Sequence, residues 1–357
     1  MAENKSQILG MMSGTSLDGL DMALCEFTES RHGWSYRILK TDFRGYDEAI
    51  RGELHNAIYA NGEELLQLHE SYGWWLGKQA RDFLNGEGVQ PDAIASHGHT
   101  VHHRPDKGFT FQLGAPRQIA IATGIRTIGD FRSLDVALGG QGAPLVPAGD
   151  QLLFNQYDFC LNLGGICNIS FDLHGERIAY DIGISNMLLN HLCSPEGLPY
   201  DSEGSLARKG RLNPSLLKAL DGLPFYAKPF PKSTGYEWFR DAILPLLDRF
   251  EDQTENLLHT AVQHIAGQIS RQIQKIANKG SVLVTGGGAL NTYLMEVLQE
   301  RLGPAYNIEL PAKELISFKE ALIFAFLGAL RLRGRTNVLA SVTGATRDSC
   351  SGVVFEP

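Results

Sequence analysis

The sequence predicts an α/β protein made of two similar domains with a cleft between them. Three observations point there. The layout strand, glycine turn, strand, strand, helices occurs twice, starting near Gln7 and again near Phe159. Glycine turns follow strands at three places: Gly14, Gly164-Gly165 and Gly286-Gly287-Gly288. Between the two runs, Leu138–Pro147 (LGGQGAPLVP) is rich in glycine and proline, as a crossover between domains would be. The expected domains are residues 1–140 and 141–357. The pattern leaves open which of them the last helix packs on.

In the first half, Gln7–Phe27 reads as strand, tight turn, strand, with Ile8, Leu9 and Met11 in one run and Leu20, Met22, Leu24 and Phe27 in the other. Tyr36–Thr41 reads as a third strand. Asp47–Tyr59 and Glu63–Leu84 read as helices; in the second, Leu65, Leu66, Leu68, Tyr72, Trp75, Leu76 and Phe83 recur at near-helical spacing. Pro91–His97 and Phe109–Leu113 are short strands, Pro116–Thr123 a helix, and Arg126–Asp130 a further strand.

In the second half, Phe159–Leu163, Cys167–Phe171 and Arg177–Tyr180 repeat the three opening strands. Helices are expected at Asn186–Cys193, Ser205–Lys209, Pro214–Leu220 and Tyr236–Phe250, the last despite Pro245, and Pro224–Ser233 reads as irregular. Thr254–Asn278 is a long helix whose stripe is Leu257, Leu258, Ala261, Ile265, Ile269, Ile273 and Ile276. Ser281–Thr285 is a strand entering the third glycine turn. A helix starts at Thr292, and Phe318–Leu332 is the last.

Composition narrows the function classes. The chain has 357 residues, 43% hydrophobic and 20% charged, which suits a globular protein large enough for two cores. A net charge of −8 argues against a general nucleic-acid surface. The five cysteines show no CxxC spacing and read as reduced thiols of a cytoplasmic protein. MAENKSQ is followed by no long apolar run, so no signal peptide is expected. No stretch reaches the roughly 18 apolar residues of a membrane span.

The first turn carries the most chemistry. In Gly14-Thr15-Ser16-Leu17-Asp18-Gly19-Leu20-Asp21, two glycines permit a sharp turn and close approach to a ligand. Thr15 and Ser16 add hydroxyls. Asp18 and Asp21 add carboxylates that could face a metal. Such a tip suits a magnesium-bound polyphosphate, because successive turn N–H groups form an anion-binding concavity; an acidic hairpin with no ligand is the alternative. The third glycine turn leads into a helix, whose first N–H groups would favour phosphate. There is no GxxxxGK[ST] and no GxGxxG in a βαβ setting, which excludes a P-loop and disfavours a dinucleotide fold.

Asp181, at a strand end in DIGISN, could act as a general base or cap the helix after Asn186. His97, His99, His102 and His103 cluster, and His97 and His99 would share a strand face; a metal site and hydrogen bonding to a sugar both fit. Arg126, Asp130 and Arg132 could hold an anionic substrate group or form surface ion pairs. Glu320, beside Lys319, is a helix-start carboxylate or a cleft residue.

Together these segments resemble the anhydro-N-acetylmuramic acid kinases. The resemblance runs in order through MSGTSLDGLD (12–21), SHGHTVHHRP (96–105), FQLGAP (111–116), GDFRSLDVALGGQGAPLVP (129–147), NLGGICNIS (162–170), DIGISN (181–186), YDSEGSLARKG (200–210), PKSTGYEWF (231–239), VTGGGALN (284–291) and KEALIFAF (319–326). It covers nearly the whole chain. It implies two duplicated actin-like (ribonuclease H-like) domains around a nucleotide cleft, ATP and Mg²⁺ as cofactors, and a homodimer in the cytoplasm. The implied reaction opens 1,6-anhydro-N-acetylmuramic acid with water and phosphorylates O6, giving N-acetylmuramic acid 6-phosphate and ADP in peptidoglycan recycling.

The resemblance also implies residue roles. Gly14, Thr15, Ser16, Leu17, Asp18, Gly19, Leu20 and Asp21 match the ATP phosphate loop, with Asp18 a Mg²⁺ or metal-water partner. Asn162, Gly164 and Gly165 match a second phosphate element, and Gly286, Gly287 and Gly288 the adenosine-side turn. Asp181 matches the catalytic aspartate, and His97, Arg132 and Glu320 fall in segments tied to the sugar. Two places depart from the family pattern. Ile182, Ile184 and Ser185 stand where Thr, Pro and Gly are usual, and His99 where Gln is usual. The first change could alter substrate fit. A kinase for another hexose or N-acetylhexosamine, and a non-catalytic ATP-dependent regulator, are the alternative functions.

Overall fold

The computed structural model describes residues 4–14, 17–86 and 90–357. Thr15 and Ser16 of the first turn lie outside the described residues. The chain forms two compact α/β units, residues 1–154 with 318–357, and residues 155–317. The first unit thus extends past the expected boundary at 140 and includes the chain from Phe318 onward. The reason is packing: a Cβ on Gly149, in the helix Val146–Leu153, would lie 2.2 Å from Ile323.

In the first unit the strands are β1 (Asn4–Ser13), β2 (Gly19–Ser30), β3 (Gly33–Gly45), β4 (Ala93–Ser96), β5 (His99–Arg104), β6 (Phe109–Leu113) and β7 (Thr127–Gly129). β1, β2 and β3 are antiparallel neighbours, and β4 and then β7 add in parallel on the other side of β1. The C-terminal strand Val353–Phe355 closes that edge antiparallel to β7. β5 and β6 form a separate hairpin.

β1 shows why this layer holds together. Its side chains alternate between faces, as strand geometry requires. Leu9 and Met11 join a core with Tyr72, Leu76, Ala80 and Phe83 of the helix Gly62–Leu84. That helix starts at a capping box, with Asn61 accepting from Glu63 and Glu64 N–H and the Glu64 carboxylate accepting from Asn61 N–H. Gly10 faces the helix Lys313–Leu332, where an added Cβ would lie 1.9 Å from the Ala321 carbonyl oxygen. From Phe318 onward this helix, followed by a shorter one at Ala340–Thr343, therefore packs on the first unit's sheet. Its one non-helical residue, Phe318 (φ −112°, ψ 15°), is also where the chain enters that unit.

In the second unit β8 (Phe159–Leu163), β9 (Ile166–Leu173) and β10 (Glu176–Ile184) are antiparallel neighbours. β11 (Gly280–Thr285) and β12 (Tyr306–Glu309) add in parallel beside β8. The order 10-9-8-11-12 repeats the order 3-2-1-4-7 of the first unit. This duplicated three-antiparallel, two-parallel sheet is the ribonuclease H-like arrangement of actin-like proteins. The core gathers the strands' inward residues against Leu258, Ala261, Val262, Ile265, Ile269 and Ile273 of the helix Thr254–Ile276.

Several expectations need correction. His97 and His99 do not share a strand face, because Gly98 at φ +74° turns the chain between β4 and β5. Ser205–Lys209 shortens to the 3₁₀ turn Ala207–Lys209. Tyr236–Phe250 is helical only to Leu247 and widens over Phe239–Ile243 into a π-turn just ahead of Pro245, whose missing N–H and ring interrupt a regular ladder. Pro224–Ala227, within the stretch expected to be irregular, is a short helix.

Candidate functional site

In the first unit the turn between β1 and β2 is short and acidic. Leu17 takes φ +57°, its carbonyl accepts from Arg51 Nε at 3.1 Å, and the Asp18 carboxylate accepts from Gly19 N–H at 2.9 Å. Asp21 follows on β2 opposite Met12. Its carboxyl is pushed up to about 7, first by burial, then by the nearby charges of Asp18 and Glu320. That excess of negative charge would be relieved by a cation. Two carboxylates beside phosphate oxygens fit Mg²⁺, which keeps several waters and takes few protein ligands. Among the described residues no three His, Cys, Asp or Glu side chains form a metal-holding group, so an all-protein cage is not what these residues build.

His97, Arg132 and Glu320, which the resemblance ties to the sugar, lie in the same unit. Arg132 donates to His97 Nε2 from Nε at 3.0 Å and from Nη2 at 2.9 Å. A guanidinium can only donate, so Nε2 is the acceptor and the ring N–H sits on Nδ1, 2.8 Å from the Gly98 carbonyl oxygen. Burial and then Arg132 hold His97 well below the usual histidine range, so it is neutral. Burial brings Arg132 itself to about 10, against the pull of Glu320 and Asp135. Glu320 is raised by desolvation, opposed by Arg132 and Lys319. His99 turns elsewhere, to Ser13 Oγ at 3.2 Å.

Sequence reasoning missed what holds Arg132. Its Nη1 donates to the Gly142 carbonyl at 2.6 Å. Gly142 N–H in turn donates to fully buried Asp135 at 2.7 Å, and Asp135 also accepts from Thr343 Oγ1 at 2.7 Å. The glycine-rich stretch thus wraps a buried carboxylate. Only the segment GDFRSLDVALGGQGAPLVP carried any signal of this.

In the second unit four strands contribute one row: Thr285, Asn162, Asn168 and Asp181 are successive cross-strand partners. The two glycine turns meet beside this row. Gly286 takes φ +81°, and a Cβ there would lie 2.6 Å from Asn162 Oδ1 and 2.8 Å from the Leu163 backbone. Asn186, not singled out from sequence, joins them. Its N–H donates to the Gly164 carbonyl at 3.1 Å and its Nδ2 to the Leu163 carbonyl at 3.0 Å. Gly287 lies beside it, at 3.8 Å from an added Cβ to Asn186 Nδ2.

Asp181 stands at a bulge of β10. Its Oδ2 accepts from Thr234 N–H at 2.9 Å, and its own N–H donates to the Lys232 carbonyl at 3.0 Å. Burial pushes the carboxyl up to about 6, with the Thr234 N–H and the Lys232 charge opposing. A carboxylate in that range can accept a proton near neutrality, which a carboxylate at its ordinary value does poorly. Thr234 and Lys232 belong to PKSTGYEWF, so that segment's place in the pattern has a physical reason. The altered DIGISN residues point inward: Ile182 and Ile184 are in the core, and Ser185 is fully buried. Gly183 is required there because a Cβ would lie 2.4 Å from the Tyr226 ring.

Residues 6–357 match the sequence profile described as anhydro-N-acetylmuramic acid kinase. Proteins of that name from Shewanella amazonensis (36% identical, 99% of each chain) and Sulfurimonas denitrificans (35%, 98% of this chain and 99% of that one) are among its relatives. Among solved structures, the 2-hydroxyisocaproyl-CoA dehydratase activator from Clostridium difficile with bound ADPNP aligns at TM-score 0.45 and 11% identity, over 92% of this chain and 97% of that one. A ROK family glucokinase from Streptomyces griseus aligns at TM-score 0.38 and 13% identity, over 90% and 98%. On the sequence matches, which span nearly its whole length, this chain belongs to the anhydro-N-acetylmuramic acid kinase family.

Proposed function

We propose that this chain is an ATP-dependent kinase that opens 1,6-anhydro-N-acetylmuramic acid with water and phosphorylates O6, yielding N-acetylmuramic acid 6-phosphate and ADP. Family membership supports the reaction. The observation that carries the mechanism is Asp181: a carboxyl held at about 6 and oriented by the Thr234 N–H. Asp181 takes a proton from water as the water attacks the anomeric carbon. As the bridge opens, O6 gains the electron pair with which it attacks the γ-phosphate. Phosphoryl transfer relies on positioning and electrostatics more than on covalent help.

The remaining residues bind and orient. The Gly14–Asp21 turn, Asn162 with Gly164-Gly165, and Gly286–Gly288 hold the nucleotide. Asp18 and Asp21 are the groups that would hold Mg²⁺, which would offset phosphate charge. His97, Arg132 and Glu320 hold the sugar; neutral His97 and the Arg132 fork leave the guanidinium fixed in direction. Ile182, Ile184 and Ser185 face the interior, so their departure from the usual pattern does not itself put new side chains against the sugar. A cytoplasmic setting and a homodimer belong to the same reading. No described helix is long and apolar enough to cross a membrane.

The test is ADP release with ATP and Mg²⁺, comparing 1,6-anhydro-N-acetylmuramic acid, N-acetylmuramic acid and N-acetylglucosamine, with product mass. A product heavier than the anhydro sugar by one phosphoryl group and one water supports the coupled reaction. Release with ordinary sugars alone overturns it.

A further inference from the structure

A line of buried side chains runs into the first glycine turn, and the reaction as described uses none of it. The Tyr72 hydroxyl lies 2.7 Å from that of Tyr46. Tyr46 donates to Ser13 Oγ at 2.7 Å, and Ser13 Oγ lies 3.2 Å from His99 Nδ1. Ser13 leads directly into Gly14; burial holds the His99 ring down to about 4, and the Gly14 backbone opposes this by favouring the protonated ring. None of these four side chains is more than 5% exposed.

The hydrogens sort in one direction. Tyr46 gives its hydrogen to Ser13, so Tyr72 donates to Tyr46. Ser13 then gives its own hydrogen to Nδ1 of a neutral imidazole. The ring N–H is then on Nε2. Buried polar groups that are fully paired in this way favour one arrangement. Tyr46 holds the far side of the same turn as well, since its backbone N–H donates to the Asp18 carbonyl at 3.1 Å. One residue thus ties both shoulders of the turn, one directly and the other through Ser13 and His99.

We propose that His99 is a positioning residue for nucleotide phosphate: with Ser13 and Tyr46 as its relay, it sets where the Gly14 end of the turn lies relative to Asp18. The assignment rests on the reading of Gly14–Asp21 as a phosphate element. A neutral imidazole and a carboxamide each present an acceptor on a flat group, so either can take the Ser13 hydrogen.

The experiment is steady-state kinetics of the full-length chain, with KM for ATP and for the anhydro sugar measured separately. His99→Leu and Tyr46→Phe are expected to raise KM for ATP about tenfold, as the loss of a buried hydrogen bond implies, with KM for the sugar changed less than about twofold. His99→Gln is expected within about twofold of the parent for both. Adding Tyr46→Phe to His99→Leu should cost little more than either alone, because both break one line. A parental KM for ATP in His99→Leu overturns the proposal. So does an equal rise in both KM values with no recovery in His99→Gln, which would mark a structural role only. Binding of a non-hydrolysable ATP analogue to Gly14→Val separates the two readings. Unchanged affinity there removes the phosphate assignment itself, whereas weakened affinity beside a parental His99→Leu removes only the positioning role.

Discussion

Asp21 and Asn168 occupy the same place in the two units. Each is the third residue of the second strand in its sheet, and each pairs with the next-to-last residue of the first strand, Met12 in one case and Asn162 in the other. Yet the first place holds a carboxyl pushed up to about 7 by burial and two acidic neighbours, and the second an amide in a row with Asn162 and Asp181. The duplicated sheet supplies a fixed frame for backbone turns, while side chains at matched corners have diverged. One corner gathers negative charge suited to a cation. The other sets the proposed base, Asp181, in a row with two amides, with the Lys232 charge favouring its ionised form.

The sharpest way to break this contrast is to remove the base. Asp181→Asn should lower kcat by about a thousandfold, in the range of general-base loss, while calorimetry finds nucleotide-analogue binding kept. The same variant should melt at a higher temperature at pH 7. The folded-state pKa of Asp181 is raised from 3.8 to about 6, so the stability linked to its proton is present below the unfolded value and lost as pH rises through about 6. The amide variant escapes that loss, and the difference in melting temperature should shrink toward pH 4.

Next in size is the exchange of corners. Asp21→Asn makes the first corner resemble the second. It should raise KM for ATP about tenfold and the Mg²⁺ concentration needed for half-maximal rate, with no loss of melting temperature, because burial of its charge and repulsion by Asp18 and Glu320 both end. An unchanged Mg²⁺ requirement would remove Asp21 from the cation's surroundings. A purely structural comparison comes from Gly286→Ala, which should destabilise by about 2 kcal/mol in chemical denaturation, since φ is +81° and the Leu163 backbone is in the way.

The smallest effect sharpens the second corner. In the parent, kcat/KM should fall as pH drops below about 6, because Asp181 must be ionised to take a proton. Lys232→Met removes a cation that favours the ionised form, so this acid limb should move to higher pH by about half a unit. A shift to lower pH would contradict the assignment of the limb to Asp181.

Much of this contrast was legible in the sequence. Leu9 and Met11 alternate with Ile8 and Gly10, and the glycine turns sit where strands stop, so the doubled sheet could be read from period and punctuation. The supports of the site were not. Asp135 lies in a short helix, Ser133–Ala137, that the sequence pattern does not announce, and nothing local says that Gly142 and Thr343 converge on it from seven and 208 positions away. Tyr226 explains Gly183 only because the chain folds its ring onto that strand. β5 escaped notice because its histidines suggested ligands, whereas Gly98 breaks the run and the strand pairs with Phe109–Leu113. Local pattern encodes elements; partners distant in sequence are encoded only by the finished packing.

The first unit is made from both ends of the chain, and that sets an order of events during synthesis. Gly10 and its neighbours leave the ribosome early, but the helix that covers them, with Ala321 against Gly10, is made more than 300 residues later. The stretch 155–317 is complete before then and can acquire its own core first. Removing the last forty residues would therefore expose the earliest-made sheet rather than the most recently made one. A chaperone or protease that meets the nascent chain should find its vulnerable surface around Gly10 until the helix carrying Ala321 has been made.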